Sequence, residues 1–191
     1  MGSGRNALAL WGVAAAIPLL GCSLTVAAVG EGGVVNSPNA AAGVRLEGVA
    51  HLPDQAGDGL AFGLRIDHFA QIAPGVTYDR SRYEAMVGWA FVPRGFHRPI
   101  GYEVFARLGG ARGAMGAAES TPLALTGGLT GGLPIRISGS LFGEDEILRF
   151  TFIFVPQLDV GFAGPVEGAS WQLQFGGSLG IRVHLDSTLL P

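Results

Sequence analysis

The sequence predicts an all-β domain, and two observations support the prediction. From Val44 onward, apolar residues alternate with small or polar ones, which is the period of a strand with two different faces. Turn-forming residues such as Pro53-Asp54 and Gly143-Glu144-Asp145 separate the alternating stretches, and no stretch has the spacing of an amphipathic helix. We expect eight strands, at Val44–His51, Gly59–Phe69, Arg82–Val92, Ile100–Gly109, Thr121–Thr126, Leu133–Phe142, Ile147–Phe162 and Ser170–Asp186.

The first residues have the pattern of a secretory signal. Arg5 gives a positive start, and Ala7 through Leu20 carry no charge. An apolar core of this length that ends on small residues is too short to be a membrane-spanning helix. The residues Leu19-Leu20-Gly21-Cys22 resemble the lipobox of bacterial lipoproteins, in which the cysteine becomes the lipid-bearing first residue of the mature chain.

The resemblance implies lipid attachment at Cys22, and the cysteine count agrees with it. Cys22 is the only cysteine in the chain, so the exported protein has no internal disulfide to form. Ordinary signal cleavage after Val26-Ala27-Ala28 is the alternative, because these small residues also have a suitable spacing. We expect a signal peptide over 1–21, a flexible tether over 22–43 and a β-barrel domain over 44–191.

The composition limits the classes of partner. The chain has 12 basic and 15 acidic residues, and this mild acidity gives no reason to expect nucleic acid as a partner. Charged residues make up 14% of the chain, against roughly 25% in an ordinary soluble domain. A chain with so little charge hides much of its surface in lipid or against a partner.

The two faces of the predicted strands indicate the environment of the domain. Phe150, Phe152 and Phe154 share one face of their strand, while Thr151 and Gln157 lie on the other. A soluble barrel or sandwich would bury the bulky face in its core, whereas a transmembrane barrel would turn that face to lipid. The non-bulky faces hold Gly, Ala and Ser with scattered charges, which a narrow eight-stranded lumen accommodates. This pattern favours the membrane hypothesis.

Opposite charges on the non-bulky faces predict ion pairs inside the lumen, because a single buried charge is too costly. Aromatic residues near strand ends or on the bulky face fit interfacial girdles, and these are Tyr83, Trp89, Tyr102 and Trp171. The expected lumen charges are Arg45 with Glu47, Arg65 with Asp67, Glu103 with Arg107, Arg182 with Asp186, and Arg136.

In size and pattern, residues 44–186 are similar to the small eight-stranded outer-membrane barrels of Gram-negative bacteria. The resemblance implies an antiparallel up-and-down barrel in the cell outer membrane, with short turns at one end and longer loops at the other. Pro156 lies inside the longest predicted strand and lacks a backbone donor. We expect a bulge there, or the point at which the strand leaves the bilayer.

The sequence contains few residues that could carry catalysis or bind a metal. The four histidines lack the paired spacing of a metal site, so we expect no metal and no cofactor. The glycines at 127, 128, 131 and 132 are interpreted as a turn rather than a phosphate loop, since no Lys-Ser or Lys-Thr follows. Ser187 with His184 and Asp186 is the one catalytic candidate, of the kind that membrane-barrel lipid hydrolases use. We interpret these three residues as a polar strand end.

The function predicted from the sequence is that of a non-enzymatic cell-envelope protein, a small outer-membrane β-barrel lipidated at Cys22. Such a protein acts structurally or through its surface loops. Its expected partner is membrane lipid, with an envelope protein or a small apolar ligand left unidentified. One alternative is a lipid-tethered soluble β-barrel that binds an apolar ligand, as lipocalins do. The other is a lipid hydrolase that uses Ser187 and His184.

Overall fold

The computed structural model describes residues 21–33, 40–53, 58–71, 78–93, 98–115, 124–137, 148–164 and 172–187. In these ranges the chain is all-β, as predicted, and it contains no helix of the length and apolarity that a membrane crossing requires. The nine strands are β1 (Gly21–Gly33), β2 (Ala40–Pro53), β3 (Asp58–Gln71), β4 (Tyr78–Phe91), β5 (Tyr102–Met115), β6 (Ala124–Gly132), β7 (Ile135–Arg136), β8 (Leu148–Ala163) and β9 (Gln172–Ser187).

The strands form one closed antiparallel barrel. Each strand from β1 to β5 pairs with the next, β9 pairs with both β1 and β8, and β6 pairs with β8. The short β7 continues the line of β6 along β8, so β6 and β7 together fill one strand position in the barrel wall. The wall therefore has eight strand positions, and we call each of them a stave. The predicted eight-stranded barrel is therefore confirmed. We call the end at which β1 begins and β9 ends the lower end, and the other the upper end.

The first stave corrects the boundaries expected from the sequence. Residues 22–33 were expected in a flexible tether, but they belong to β1, in which Cys22 pairs with Ala50 of β2 and with Leu185 of β9. The strand β2 likewise begins at Ala40 rather than Val44. The small residues of this region conceal its alternation in the sequence. The fold uses the region as a strand because β2 and β9 would otherwise have unpaired edges.

Two of the predicted strands are one stave. The glycine-rich residues from Gly127 to Gly132 were interpreted as a turn, yet they lie inside β6 and pair with β5 and β8. After an interruption at Leu133 and Pro134, β7 resumes the pairing with β8. The turn prediction is wrong because the closed barrel pairs this segment on both sides, and Gly128 lies against Arg107, as described below. The predicted number of eight stays correct, since β1 replaces the strand lost by this merger.

Pro156 lies opposite the interruption between β6 and β7. The register is continuous across it, with Gly132 paired to Gln157 and Ile135 paired to Phe154. The backbone N–H of Leu133 donates to the carbonyl of Pro156 at 3.1 Å. The reciprocal bond is missing because proline has no N–H. The expected bulge is thus absent, and the barrel accommodates Pro156 by giving up one ladder hydrogen bond.

The wall of the barrel carries its bulky residues outside and its charges inside. Leu64, Leu158 and Leu179 are 68%, 75% and 60% exposed on the outer face. Arg45 and Glu47, on the inner face, are 1% and 0% exposed. The soluble alternative requires the bulky residues to line an internal core, and the structure places them on the outside instead.

The aromatic residues predicted for a girdle lie on the outer face where the structure describes them. Tyr83, Trp89 and Tyr102 are exposed there. Tyr102 stacks on Phe91 with 6.1 Å between ring centroids, at the lower end of β4 and β5. Trp171 lies outside the described residues.

The lengths of the connections between strands differ from the expectation of short turns at one end and longer loops at the other. At the lower end they span 54–57, 92–101 and 137–147, and at the upper end they span 34–39, 72–77, 116–123 and 164–171. The longest connection is therefore at the lower end, and no end has only short turns.

Substitution of an inward glycine tests how tightly neighbouring strands approach one another. A Cβ at Gly88 would lie 2.8 Å from the Cα of Phe105 and would also contact the carbonyl oxygen of Val104, whereas a Cβ at Gly48 meets no atom within 4 Å. We expect Gly88→Ala to lower the free energy of unfolding by about 1–3 kcal/mol, because the backbone must move to relieve the overlap. Gly48→Ala is the matched control, with an expected change within about 0.5 kcal/mol. Urea unfolding of both variants in lipid vesicles, followed by tryptophan fluorescence, compares them. Equal midpoints would contradict the close approach.

Candidate functional site: the charged lumen

Ion pairs among the described residues join six arginines to six carboxylates inside the barrel. Strand alternation directs every second side chain inward, so residues two apart on a strand enter the lumen together. The equal numbers leave no net charge within this set. The arginines are Arg45, Arg65, Arg80, Arg82, Arg107 and Arg182, and the carboxylates are Glu31, Glu47, Asp67, Glu84, Glu103 and Asp159.

Arg45 uses all of its donor positions. Its Nε donates to Asp67 Oδ1 at 2.7 Å, and its Nη2 donates to Asp67 Oδ2 at 3.2 Å and to Asp159 Oδ2 at 2.8 Å. Its Nη1 donates to Gln157 Oε1 and to Ser178 Oγ, both at 2.9 Å. A guanidinium has five N–H donors, and each has an acceptor here. This saturation offsets the desolvation cost of a fully buried charge.

Arg182 forms a bidentate pair with one carboxylate and also contacts a second. Its Nη1 and Nη2 donate to Glu103 at 2.5 and 3.1 Å, and Nη2 also donates to Glu47 Oε1 at 3.0 Å. Its Nε donates to Thr25 Oγ1 of β1 at 2.8 Å. Arg182 thus links β9 to the stave that the sequence had suggested was a tether, and to two strands across the lumen.

Asp159 of β8 accepts hydrogen bonds from two arginines and lies within ion-pair distance of a third. Its Oδ2 accepts from Arg45, and its Oδ1 accepts from Arg65 Nη1 at 2.9 Å and from Thr130 Oγ1 at 2.5 Å. Arg107 Nη2 lies 3.6 Å from the same Oδ1. Because β8 closes the barrel against β6, this carboxylate holds the closing strand to arginines on β2 and β3.

Arg107 occupies space that glycines leave open. Its Nη1 donates to Glu84 Oε2 at 2.6 Å, and its Nη2 donates to the carbonyl oxygen of Leu129 at 3.3 Å. A Cβ at Gly128 would lie 2.9 Å from Arg107 Nη2, and one at Gly161 would lie 3.3 Å from it. Gly128 of β6 and Gly161 of β8 therefore make room for a buried guanidinium, which explains a glycine inside each of these strands.

One side of the lumen is bonded less completely than the rest. Glu84 Oε1, Arg107 Nε and Thr126 Oγ1 are buried and have no hydrogen-bond partner among the described residues. All three atoms belong to neighbouring strands, β4, β5 and β6.

The structure pairs the predicted lumen charges differently from the sequence analysis. Seven of the predicted residues lie buried in the lumen, but their partners are on other strands. Arg45 pairs with Asp67 and Asp159, Arg65 with Glu47 and Asp159, Arg107 with Glu84, and Arg182 with Glu103 and Glu47. Arg45, Arg65 and Arg107 each pair with a carboxylate on a neighbouring strand, where cross-strand side chains lie close together. Arg182 instead reaches carboxylates on strands that are not its neighbours.

The two remaining predicted residues lie nearer the lower end of the barrel. Arg136 is half-buried in β7, opposite Ile153 of β8. Asp186 belongs to β9 and pairs in register with Arg149, but its side chain lies outside the described residues.

Sequence reasoning missed five of the charged residues in the network. Glu31 was missed because its strand was not predicted, and Arg80 because the predicted strand began two residues later. Arg82, Glu84 and Asp159 were on predicted strands and carried a usable signal, since each falls in the inward phase of its strand.

The network closes the lumen, so the barrel is not an open channel at this level. Arg45, Arg65 and Arg182 are at most 1% exposed. Beside the charges, on the side of β2 to β5, buried apolar residues add to the packing, and among them Phe105 clusters with Val49 and Met86. Among the described residues, no cluster of three metal-ligating side chains occurs.

The lower end of the lumen holds the histidine that the sequence singled out. His184 Nδ1 and Ser23 Oγ are 2.7 Å apart and hydrogen-bonded, and the His184 ring makes an edge contact with His51 at 5.7 Å between centroids. Both His184 and Ser23 are buried. Ser23 is thus a hydrogen-bond partner of His184, and the side chain of Ser187 lies outside the described residues.

An outward apolar wall around a charged, closed lumen defines the class, an eight-stranded barrel of the outer-membrane type. The chain is similar in structure to Neisserial surface protein A (NspA), with 13% sequence identity over 87% of this chain and 96% of that chain and a TM-score of 0.57. It is also similar to Ail, the attachment invasion locus protein of Yersinia pestis, with 10% identity over 86% of this chain and 97% of that chain and a TM-score of 0.48.

A third similar structure is a major outer membrane protein from Thermus thermophilus, with 13% identity over 86% of this chain and 98% of that chain and a TM-score of 0.41. The sequence matches no protein-family model and no curated protein. Of the three structures, NspA alone has a TM-score above 0.5, and at 13% identity the likeness establishes the fold alone.

Breaking one buried pair tests whether the network holds the barrel together. We expect Glu103→Met to lower the free energy of unfolding by about 3–5 kcal/mol, because Arg182 loses its bidentate partner while still buried. The double variant Glu103→Met with Arg182→Met removes both charges, and we expect it to be more stable than the single variant. Arg112→Ala, on the outer face, is the control. Urea unfolding in lipid vesicles measures all three variants. A double variant that is no more stable than Glu103→Met would argue against the pair.

Proposed function

We propose that this protein is a non-enzymatic component of the cell envelope, a small β-barrel that spans the outer membrane and carries a lipid on Cys22. It acts structurally or through the connections that its barrel presents at the membrane surface. Membrane lipid is its first partner. The observation that supports this proposal most directly is the apolar band on the outer face of the barrel.

The band has the height of a bilayer core. Between Asp58 and His68, β3 turns only apolar side chains outward, Leu60, Phe62, Leu64 and Ile66. At 3.3–3.4 Å per residue this stretch is about 33 Å long. With the strand tilt of about 45° that is usual in transmembrane barrels, it corresponds to about 24 Å along the membrane normal. The apolar band of outer-membrane barrels is about 25 Å tall.

Polar residues mark both edges of the band. At the lower edge, the hydroxyl of Tyr102 donates to Asp58 Oδ1 at 2.6 Å. At the upper edge, His68, Ser81 and Arg112 form one row across β3, β4 and β5, and His68 Nδ1 lies 3.1 Å from Ser81 Oγ. Tyrosine and arginine are residues that anchor a protein at the membrane interface, which supports these two positions as the limits of the hydrocarbon region.

The chemistry of the lumen supports a role without catalysis. The buried arginines and carboxylates form ion pairs with one another, and Arg45, for example, has an acceptor for each of its five N–H groups. His184, the general base of the hydrolase hypothesis, is 1% exposed and bonded to a buried serine. A lipid substrate outside the wall would have no path to this pair. No observation on the described residues favours the hydrolase over the structural role.

The position of Cys22 suits a lipid anchor. Cys22 lies at the start of β1 in the outward phase of the strand, next in that phase to the exposed Leu24. A lipid attached there would enter the bilayer directly. Cleavage after Ala28 would instead remove more than half of β1, including Thr25, which accepts a hydrogen bond from Arg182. The fold therefore favours processing ahead of Cys22 over the alternative site.

Removal of the lipid attachment site tests whether the strands alone hold the protein in the membrane. We expect Cys22→Ala, exported with a conventional signal peptide, to stay in the membrane fraction after carbonate or urea extraction. We also expect its unboiled form to migrate anomalously on a gel, because a closed barrel resists detergent. A folded protein released into the periplasm would mean that the anchor alone had held it, and would overturn the transmembrane proposal.

Lipidation itself is tested by metabolic labelling with a palmitate analogue. We expect the wild-type protein to incorporate the label and Cys22→Ser to incorporate none, since the chain has no other thiol to carry a thioether-linked lipid. Intact mass of the purified protein gives the same information independently. An unlabelled wild-type chain that begins after residue 28 would support ordinary cleavage instead.

A further inference from the structure

The outer wall of the barrel contains a groove. Its volume is about 780 Å³, and it crosses five adjacent staves in the order β1, β9, β8, β6 and β5. At the usual spacing of 4.7–4.9 Å between strands, the groove is about 19 Å long. Ligand pockets in proteins typically have volumes of roughly 300–1,000 Å³.

The groove lies where glycines, which have no side chain, occupy outward positions of the wall. Gly30, Gly131 and Gly177 lie in the outward phase of β1, β6 and β9, and Leu158 pairs in register with both Gly131 and Gly177. A Cβ at Gly30 or at Gly131 would meet no atom within 4 Å, so the barrel itself does not require glycine at either position. Leu158 and Leu179 form the walls. The depression is therefore a property of the outer surface and not a consequence of strand packing.

We propose that this groove binds an acyl chain of a bilayer phospholipid, an inference that rests on the proposed location in the membrane. The groove is continuous with the apolar band on the outer face, so lipid chains surround it. Its outward lining carries no charged side chain. Glu103 and Gln157 lie beside the groove, but their side chains point to the inner face of the wall, where they join the network. An apolar groove of this shape fits an extended hydrocarbon chain.

The groove also gives the chain a direction. It begins beside Tyr102, at the lower edge of the apolar band, and ends beside Gly30 in the upper half of β1. The bound phospholipid therefore belongs to the leaflet at the lower end of the barrel, with its headgroup near Tyr102. An acyl chain that follows the groove lies oblique to the membrane normal, across the strands.

A second copy of the chain fits this groove less well. A two-fold dimer places the same patch of each copy against itself. Two concave surfaces would then face each other and enclose a void, which gains no packing energy. A flexible hydrocarbon chain fills such a depression without that loss.

Replacing glycines of the groove by leucine, so that the new side chains occupy it, tests the proposal, and the chain offers a matched control. The filling variants are Gly30→Leu and Gly131→Leu, on separate staves. The control is Gly48→Leu, which also points outward into open space but lies on β2, outside the groove. The full-length protein is extracted from membranes in a mild detergent, and native mass spectrometry measures the retention of added dipalmitoylphosphatidylethanolamine. A difference in gel mobility between the unboiled and boiled sample establishes that the barrel is folded before the bound phospholipid is measured.

We expect the wild type and Gly48→Leu to retain one phospholipid, and each filling variant to bind it about tenfold more weakly, since a leucine displaces about two methylene groups from the groove. The two filling positions are independent, so one folded variant is enough for the test. Equal retention by all folded variants would overturn the proposal while leaving the transmembrane barrel intact. A dimer that disappears in Gly131→Leu would assign the groove to a second copy. A wild type that retains no added phospholipid, beside a Cys22→Ala variant that retains one, would assign the groove to the protein's own lipid, and this too would overturn the proposal.

Discussion

The buried network of arginines and carboxylates is the constraint on which the rest of the barrel depends. A charge inside a narrow lumen needs ion pairs and hydrogen bonds to offset its desolvation, and Arg45 and Arg182 obtain them from partners on three strands each. The network therefore fixes the relative positions of strands that are distant in the sequence. Asp159 ties the closing strand β8 to β2 and β3, and Thr25 ties β1 to β9. Closure of the barrel and satisfaction of the charges require each other.

The same constraint explains where glycine occurs. A lumen filled by guanidinium groups has no room for further side chains, so Gly128 and Gly161 lie against Arg107. On the outer face the reasoning is different, because Gly30 and Gly131 adjoin open space and create a groove that the fold does not need. Glycines inside the wall thus serve packing, while these two outside it shape a surface. This contrast is why the groove is a candidate for binding and the lumen is not.

Sequence patterns predicted six of the staves well and failed at two for physical reasons. β1 was missed because alanine and glycine give a weak alternation, and its strand state comes from ladders on both sides. The stave of β6 and β7 was divided because glycines usually mark turns, whereas here they lie inside a paired strand and Gly128 adjoins a buried arginine from β5. Most lumen residues could be assigned from their phase on a strand. Their partners could not, since the geometry favours pairing across strands and a sequence contains no register.

The sequence by itself determined the fold class, the two unlike faces of the wall and the charges that enter the lumen. Each of these follows from the two-residue period of a strand, which is a local property of the chain. Only the tertiary structure decided which face is outside, which charges pair and which segment completes the wall. Those features depend on closure, because a barrel has an inside only when its first and last strands meet, and β1 and β9 are joined by contacts between residues more than 150 positions apart, as Ser23 and His184 are.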